Sequence, residues 1–333
     1  MRYSLILLVC VVLTHWKTPT QAQTAAGVLK VSITVADLEK SVKFYQEVLT
    51  FRKVREYAWS GAALQKLTGE KNTDLEAKVA LLQLGDEQIE LVEFVHEARQ
   101  AQIPADSKSN DLWFQHIAIV VRDMDKAYQI LRQNKVQFVS TAPQTLPDYI
   151  PAATGIKAFY FRDPDGHNLE VIYFPLGKGK TKWQQKTEAI FLGIDHTAIG
   201  IDDTDRSQKF YENLLGLKKA GDSENYGPEQ EHLNQVFGAH LIITGLVAKQ
   251  GFGVEFLDYL APPGGRPYPE NSRVTDLWHW HTSIEVDQIE AVYARLQEAN
   301  CDFISQGIVL FENQKSLMVR DPDGHAVLLL QKK

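Results

Sequence analysis

Two histidines occupy the same local frame at distant places in the chain. Gln115-His116-Ile117-Ala118-Ile119 follows Asp111-Leu112-Trp113, and Trp280-His281-Thr282-Ser283-Ile284 follows Asp276-Leu277-Trp278, 165 residues later. An imidazole on a strand is either a hydrogen-bonded core group or a metal ligand, and matching imidazoles and carboxylates nearby shift the balance toward coordination. Alternation along the second strand puts His279, His281, Ser283 and Glu285 on one side and Trp280, Thr282, Ile284 and Val286 on the other. The polar row is the natural lining of a cavity.

These strands belong to a repeat. Phe44-Tyr45 recurs as Phe210-Tyr211 at an offset of 166, and Arg162-Asp163-Pro164-Asp165-Gly166-His167 recurs as Arg320-Asp321-Pro322-Asp323-Gly324-His325 at an offset of 158. Near-constant offsets mean a duplicated unit. Each half also holds a weaker internal echo. Residues 28–35 read as a strand, after which Asp37 caps a helix with Leu38, Val42, Tyr45 and Leu49 on its apolar side. Residues 194–201 lead likewise to a helix carrying Phe210, Tyr211, Leu214 and Leu215, ended by Gly216. After the Asp-Leu-Trp strands, the helices carry Met124, Ala127, Ile130 and Leu131, or Ile289, Val292, Tyr293 and Leu296. Asp-Pro-Asp-Gly then joins the last two strands, because proline presets φ in a tight turn and glycine accepts positive φ. The order is β-α-β-β-β four times over, starting near Val28, Leu112, Ile190 and Leu277, which is an α+β class. Residues 27–175 and 190–333 are expected to form two half-barrel domains of two modules each. Residues 176–189, with Gly177, Gly179 and four lysines, read as a polar linker.

Paired βαβββ modules, a His-bearing opening strand, a helix ending in Phe-Tyr and a closing Asp-Pro-Asp-Gly hairpin resemble the vicinal oxygen chelate superfamily. That superfamily includes glyoxalase I, extradiol dioxygenases, and the fosfomycin and bleomycin resistance proteins. The resemblance covers residues 28–175 and 190–331 and implies half-barrels closed around a divalent metal, with ligands from the first and last strands of each module. The positions carried over are Lys30, Glu90, His116 and Glu170 in the first half, and His196, Glu255, His281 and Leu328 in the second.

On this reading His196, Glu255 and His281 would hold a divalent transition metal (Fe, Mn, Zn or Ni) with positions open to substrate. The first half would be a degenerate copy. A protonated Lys30 cannot coordinate and would repel a cation, pairing instead with Glu90 and Glu170. Two alternatives stay open: Lys30 swings aside and Glu90, His116 and Glu170 bind metal, or these are polar groups bonded only to one another. Extradiol dioxygenases take their carboxylate from the last strand, where Leu328 stands. Glyoxalase I takes one from the odd module, as Glu255 would be, but acts on a glutathione adduct that an exported protein would rarely meet.

Weaker features surround these. His279 is a partner to a ligand, a general base or a polar lining residue. Residues 261–269, rich in Pro and Gly, are a stiff connector or a loop at the barrel mouth, with Arg266 and Tyr268 holding an anionic or aromatic substrate. Trp113 and Trp278 occur in both halves, as packing residues do. Tyr226, His232 and His240 are read as structural, and Cys301 has no basic neighbour to activate it.

Arg2, an apolar run over 5–13 and Thr20-Gln21-Ala22 read as a secretory signal peptide, residues 1–22, with an uncleaved anchor as the alternative. The run of nine is short of the ~20 needed to span a bilayer. Removing Arg2 and Lys17 would move the net charge from −7 to about −9, and an acidic chain without a basic cluster argues against nucleic acid. Cys301, alone after cleavage, would form no internal disulfide. The expectation is a periplasmic or secreted protein with a small-molecule ligand and no stable membrane insertion. A dimer is possible but not required, since one chain would complete both barrels. The function expected is a metal-dependent enzyme of dioxygenase, lyase or isomerase type, leaning to ring cleavage, in the C-terminal barrel. The alternative is a non-catalytic binding protein of the bleomycin-resistance type. On this reading elemental analysis finds a transition metal that is lost with His281→Ala and kept with Glu90→Ala.

Overall fold

The computed structural model describes residues 25–72, 74–95 and 100–333. The expected signal segment lies outside the described residues. Four modules follow the expected order. Their leading strands are Ala25–Thr34, Gln115–Val121, Phe191–Ile201 and Trp280–Val286, and their closing strands are Glu87–Val95, Asn168–Tyr173, Gly253–Ala261 and Ala326–Gln331. They are called modules I to IV below. Asp37, Asp123 and Asp203 each cap the helix after a leading strand by accepting a backbone N–H three residues on. In module III that helix is α-helical over Thr204–Gln208 and continues as a π-turn over Lys209–Leu214, before Gly216 at φ 87°.

The modules do not pair as sequence neighbours. Module I shares a nine-stranded sheet with module IV, and module II shares a second with module III. The leading strands of I and IV run antiparallel, with Lys30 opposite Ser283 and Ser32 opposite His281. Those of II and III do the same, with His196 opposite Ala118 and Ala198 opposite His116. The expected domains 27–175 and 190–333 therefore give way to I/IV and II/III half-barrels. The reason is that all four leading strands carry the same alternation and present equivalent edges, so periodicity marks each strand's faces without choosing its neighbour.

Sequence neighbours are joined another way. Between the sheets lies one apolar core that takes residues from both and from the helices of all four modules, including Val42, Leu131, Tyr211 and Leu296. The repeated motifs cross it. The Tyr45 hydroxyl of module I donates to Asp163 of module II at 3.3 Å, and Tyr211 of module III donates to Asp321 of module IV at 3.1 Å. Each aspartate also accepts two N–H groups of its own Asp-Pro-Asp-Gly-His turn. The histidines that end these turns reach across as well. His167 Nε2 lies 2.7 Å from the Leu277 carbonyl, and His325 Nε2 lies 2.8 Å from that of Gly200. The hairpin signal thus marks a latch between sheets as well as a turn.

The linker is more than a spacer, since Thr181–Gln184 forms a 3-10 turn that buries Trp183 against Ala118, Val120 and Ile172. The proline-rich segment also braces the fold. Arg266 makes a two-pronged pair with Asp111 at 2.8 and 3.0 Å and lies over the Trp113 ring. Tyr268 packs its ring against His325 and donates to the Trp278 carbonyl at 3.3 Å.

Tyr45→Phe and Tyr211→Phe should each lower stability by about 1–2 kcal/mol in urea titrations, additively because the latches are separate. Burial alone would lower the His167 pKa, but the charges of Asp163 and Asp165 outweigh it and raise it. Charged His167 then adds stability that is complete below the unfolded value of about 6.5 and is lost as pH rises through the folded value. Thermal midpoints across pH, compared with His167→Asn, should show that slope only in the parent protein.

Candidate metal centre

Pairing II with III brings the four chelate positions of those modules together, and three of them, Glu170, His196 and Glu255, line a cavity. His116 comes from one leading strand and His196 from the other, Glu170 from the closing strand of II and Glu255 from that of III. Glu170 stands beside Ala118, and Glu255 beside Ala198. A methyl at each of these central positions leaves the middle of the sheet open.

Ligating atoms of His116, Glu170 and His196 all lie within 4.8 Å of one another, and the three residues are buried. Glu170 Oε2 is 3.2 Å from His116 Nε2 and 3.6 Å from His196 Nε2, while Glu255 Oε1 is 3.4 Å from His196 Nε2. Yet both ring nitrogens of His116, and Nε2 of His196, lack a hydrogen-bond partner. Atoms that converge without hydrogen bonding suit a shared cation. Ligands about 2.0–2.2 Å from one ion stand roughly 3.0–3.5 Å apart. The residues fit a divalent transition metal held by two imidazoles and one or two carboxylates.

Asp195 orients this set, although sequence reasoning did not select it. Its Oδ2 lies 3.2 Å from His196 Nδ1, and Trp183 Nε1 of the linker donates to its Oδ1 at 2.6 Å. A proton on Nδ1 leaves Nε2 as the metal-facing lone pair. The adjacent Asp195-His196 pair was the available signal. Burial would raise the Asp195 carboxyl, but the bond with His196, the charges of His196 and Lys180, and Trp183 hold it well below the carboxylate range. Burial keeps His116 below its usual value, in its ligating form. For His196, burial is outweighed by Glu255, Asp195 and Glu170, which raise it to about 9; burial chiefly pushes Glu255 up to about 7. The cavity in front is about 330 Å³ and mixes Ile172, Leu233 and Ile243 with Tyr160, Asn225 and Gln230.

The expected grouping of ligands is thereby corrected. His281 lies in the other sheet and does not join His196 and Glu255; His116 and Glu170, assigned to the degenerate set, do. Lys30 pairs with Glu90 as anticipated, but Glu170 is not its partner. In the I/IV barrel Glu90 also accepts from Ser32 at 2.8 Å and from Tyr57. Burial would raise Glu90, but Lys30 overrides it and holds it low. His281 is pushed down to about 4 by burial, and His279 lies well below its usual value for the same reason. All departures from the chelate pattern thus collect in one barrel. Arg266 and Tyr268, proposed at the barrel mouth, serve the braces described above and line neither barrel cavity.

A sequence profile of the Glyoxalase/Bleomycin resistance protein/Dioxygenase superfamily matches residues 27–171 and 193–329, and the chain belongs to that superfamily. It is similar to a 2-epi-5-epi-valiolone epimerase of Actinomyces sp, with 33% identity over 171 residues, covering 49% of this chain and 86% of the relative. Glyoxalase I from Zea mays has a similar fold, with TM-score 0.62 and 18% identity over 93% of each chain. So does a dioxygenase-like protein of Bacillus subtilis described as putative, with TM-score 0.57 and 11% identity over 93% of this chain and 86% of that one.

The geometry reverses the outcome expected for His281 and keeps the one expected for His196. Elemental analysis should find the divalent metal lost with His196→Ala and retained with His281→Ala. Asp195→Asn should weaken metal affinity about 10–100-fold in a chelator competition.

Proposed function

We propose that the II/III barrel is a metal-dependent enzyme that moves a proton beside the carbonyl of a small hydroxy-carbonyl molecule, in an isomerase or epimerase reaction. The observation that carries this reading is a pair of carboxylates, one from each module, set about His196. When bound, a divalent metal would polarise the substrate's oxygens and acidify the neighbouring C–H.

The chain's own residues supply the rest. His116 and His196 would hold the ion, with Asp195 keeping His196 in the required tautomer. Inverting a carbon needs a base that removes a proton on one side and an acid that returns one on the other. Glu170 and Glu255 come from opposite halves of the barrel, as such a pair must. Asn225 and Gln230, hydrogen-bonded to each other at 2.9 Å in the cavity wall, offer further polar contacts to a hydroxylated molecule. The similarity to a protein named as an epimerase supports the same class.

A second reading has its own support. The three donors that lie closest together, His116, Glu170 and His196, are two imidazoles and one carboxylate, a set that suits Fe(II) and dioxygen. Here the carboxylate comes from a closing strand of an even module, the place that Leu328 leaves empty of a ligand in module IV. A single assay series separates the readings. With hydroxy-ketones in D2O, proton transfer should appear as deuterium incorporation at the carbon beside the carbonyl. Glu255→Gln or Glu170→Gln should lower its rate about 10²–10⁴-fold. Oxygen uptake with catechols by the Fe(II) form, and no exchange, would replace this reading with the second.

A further inference from the structure

The I/IV barrel carries a cluster of its own where the II/III barrel has its chelate positions, and the donor types there have changed. The registers correspond. His281 faces Ser32 as His116 faces Ala198. Leu328 pairs with Met318 as Glu170 pairs with Tyr160. The carbonyl of His279 accepts from Thr34 N at 3.1 Å, as that of Phe114 accepts from Gly200 N at 2.9 Å. Position by position, a carboxylate has become Leu328, a phenol has become Met318, and a phenyl ring has become His279. An imidazole has become Lys30, so the site keeps two imidazoles, now both on one strand, loses oxygen donors and gains a thioether.

Lys30 and Glu90 are occupied with each other and with Tyr57 and Ser32. His279 and His281 are 2% and 5% exposed, and none of their four ring nitrogens has a hydrogen-bond partner. Leaving one such group unsatisfied costs about 1–3 kcal/mol, so an occupant is called for. The enclosed space that both histidines and Met318 line is about 20 Å³, with walls otherwise mainly apolar. That volume admits an ion or a water or two, but no organic molecule. The lining hydroxyls of Ser32, Thr34 and Thr68 already donate to Glu90 and to the Val274 and Leu64 carbonyls. A water would find few partners besides the imidazoles.

We propose that His279, His281 and Met318 form a site for one soft monovalent cation, Cu(I), separate from the divalent site of the II/III barrel. Imidazole and thioether donors favour Cu(I) over hard divalent ions. None of the three brings a charge, so a +1 ion leaves less uncompensated charge in the buried space than a +2 ion would.

The test is an anaerobic titration of Cu(I) into the full chain in excess Zn(II), against a chromophoric Cu(I) chelator. The protein should withhold one equivalent. His279→Phe, which installs the residue type of the matching position, should weaken retention by more than the ~10–100-fold that loss of an outer-shell partner produces. Met318→Leu should weaken it less, and Glu170→Gln should leave it unchanged. Thermal unfolding of each variant without copper separates a lost ligand from a lost fold. Release of all the copper by the parent protein, retention unaltered in well-folded His279→Phe and Met318→Leu, or loss in Glu170→Gln would overturn the proposal.

Discussion

His116 and His196 meet because two leading strands run antiparallel with Ala198 opposite one imidazole and Ala118 opposite the other. The closing strands then lie parallel to them and bring Glu170 and Glu255 to the same level. A shift of one residue in that central pairing would turn the imidazoles into the apolar core and the isoleucines beside them into the cavity. The strongly apolar opposite face, with Ile117, Ile119, Ile194 and Ile199 all buried, holds the register. The site's geometry therefore rests on hydrophobic burial on the other side of the same sheet.

The two latches solve a different problem. Each half-barrel is assembled from modules distant in sequence, so something must fix one sheet against the other. A buried aspartate that gathers two turn N–H groups and a tyrosine hydroxyl does so in each half, and the histidine at the end of its turn reaches a carbonyl of the facing sheet. A buried carboxylate is tolerated only when its acceptor sites are filled. That accounts for the coupled appearance of Phe-Tyr and Asp-Pro-Asp-Gly-His in both halves.

With the scaffold common to both, the barrels have separated in chemistry. One holds imidazoles and carboxylates without hydrogen-bond closure on His116, in front of a cavity of about 330 Å³. The other ties its carboxylate to an ammonium and closes down on a space of about 20 Å³. Lys30 supplies internally the positive charge that Glu90 requires. In the II/III barrel the only such charge among the four chelate residues is a proton on His196, held there up to a pKa of about 9 by its carboxylates, and an exogenous ion would take its place.

Module order, strand faces, helix caps and the eight chelate positions were legible in the amino-acid sequence because each depends on local chemistry. Asp37 caps where its spacing says, and the Asp-Pro-Asp-Gly turns form where proline and glycine demand them. The residues that meet in the candidate site were legible too: His116, Glu170, His196 and Glu255 were all singled out. Their grouping was not, and neither was Asp195, whose role depends on a tryptophan from the linker. Repeats that share one period and one edge chemistry are interchangeable partners at the level of sequence. Only the tertiary structure decided that module II meets module III, because backbone hydrogen bonding across a strand edge is blind to which module lies beyond it, whereas the packing of the whole core is not.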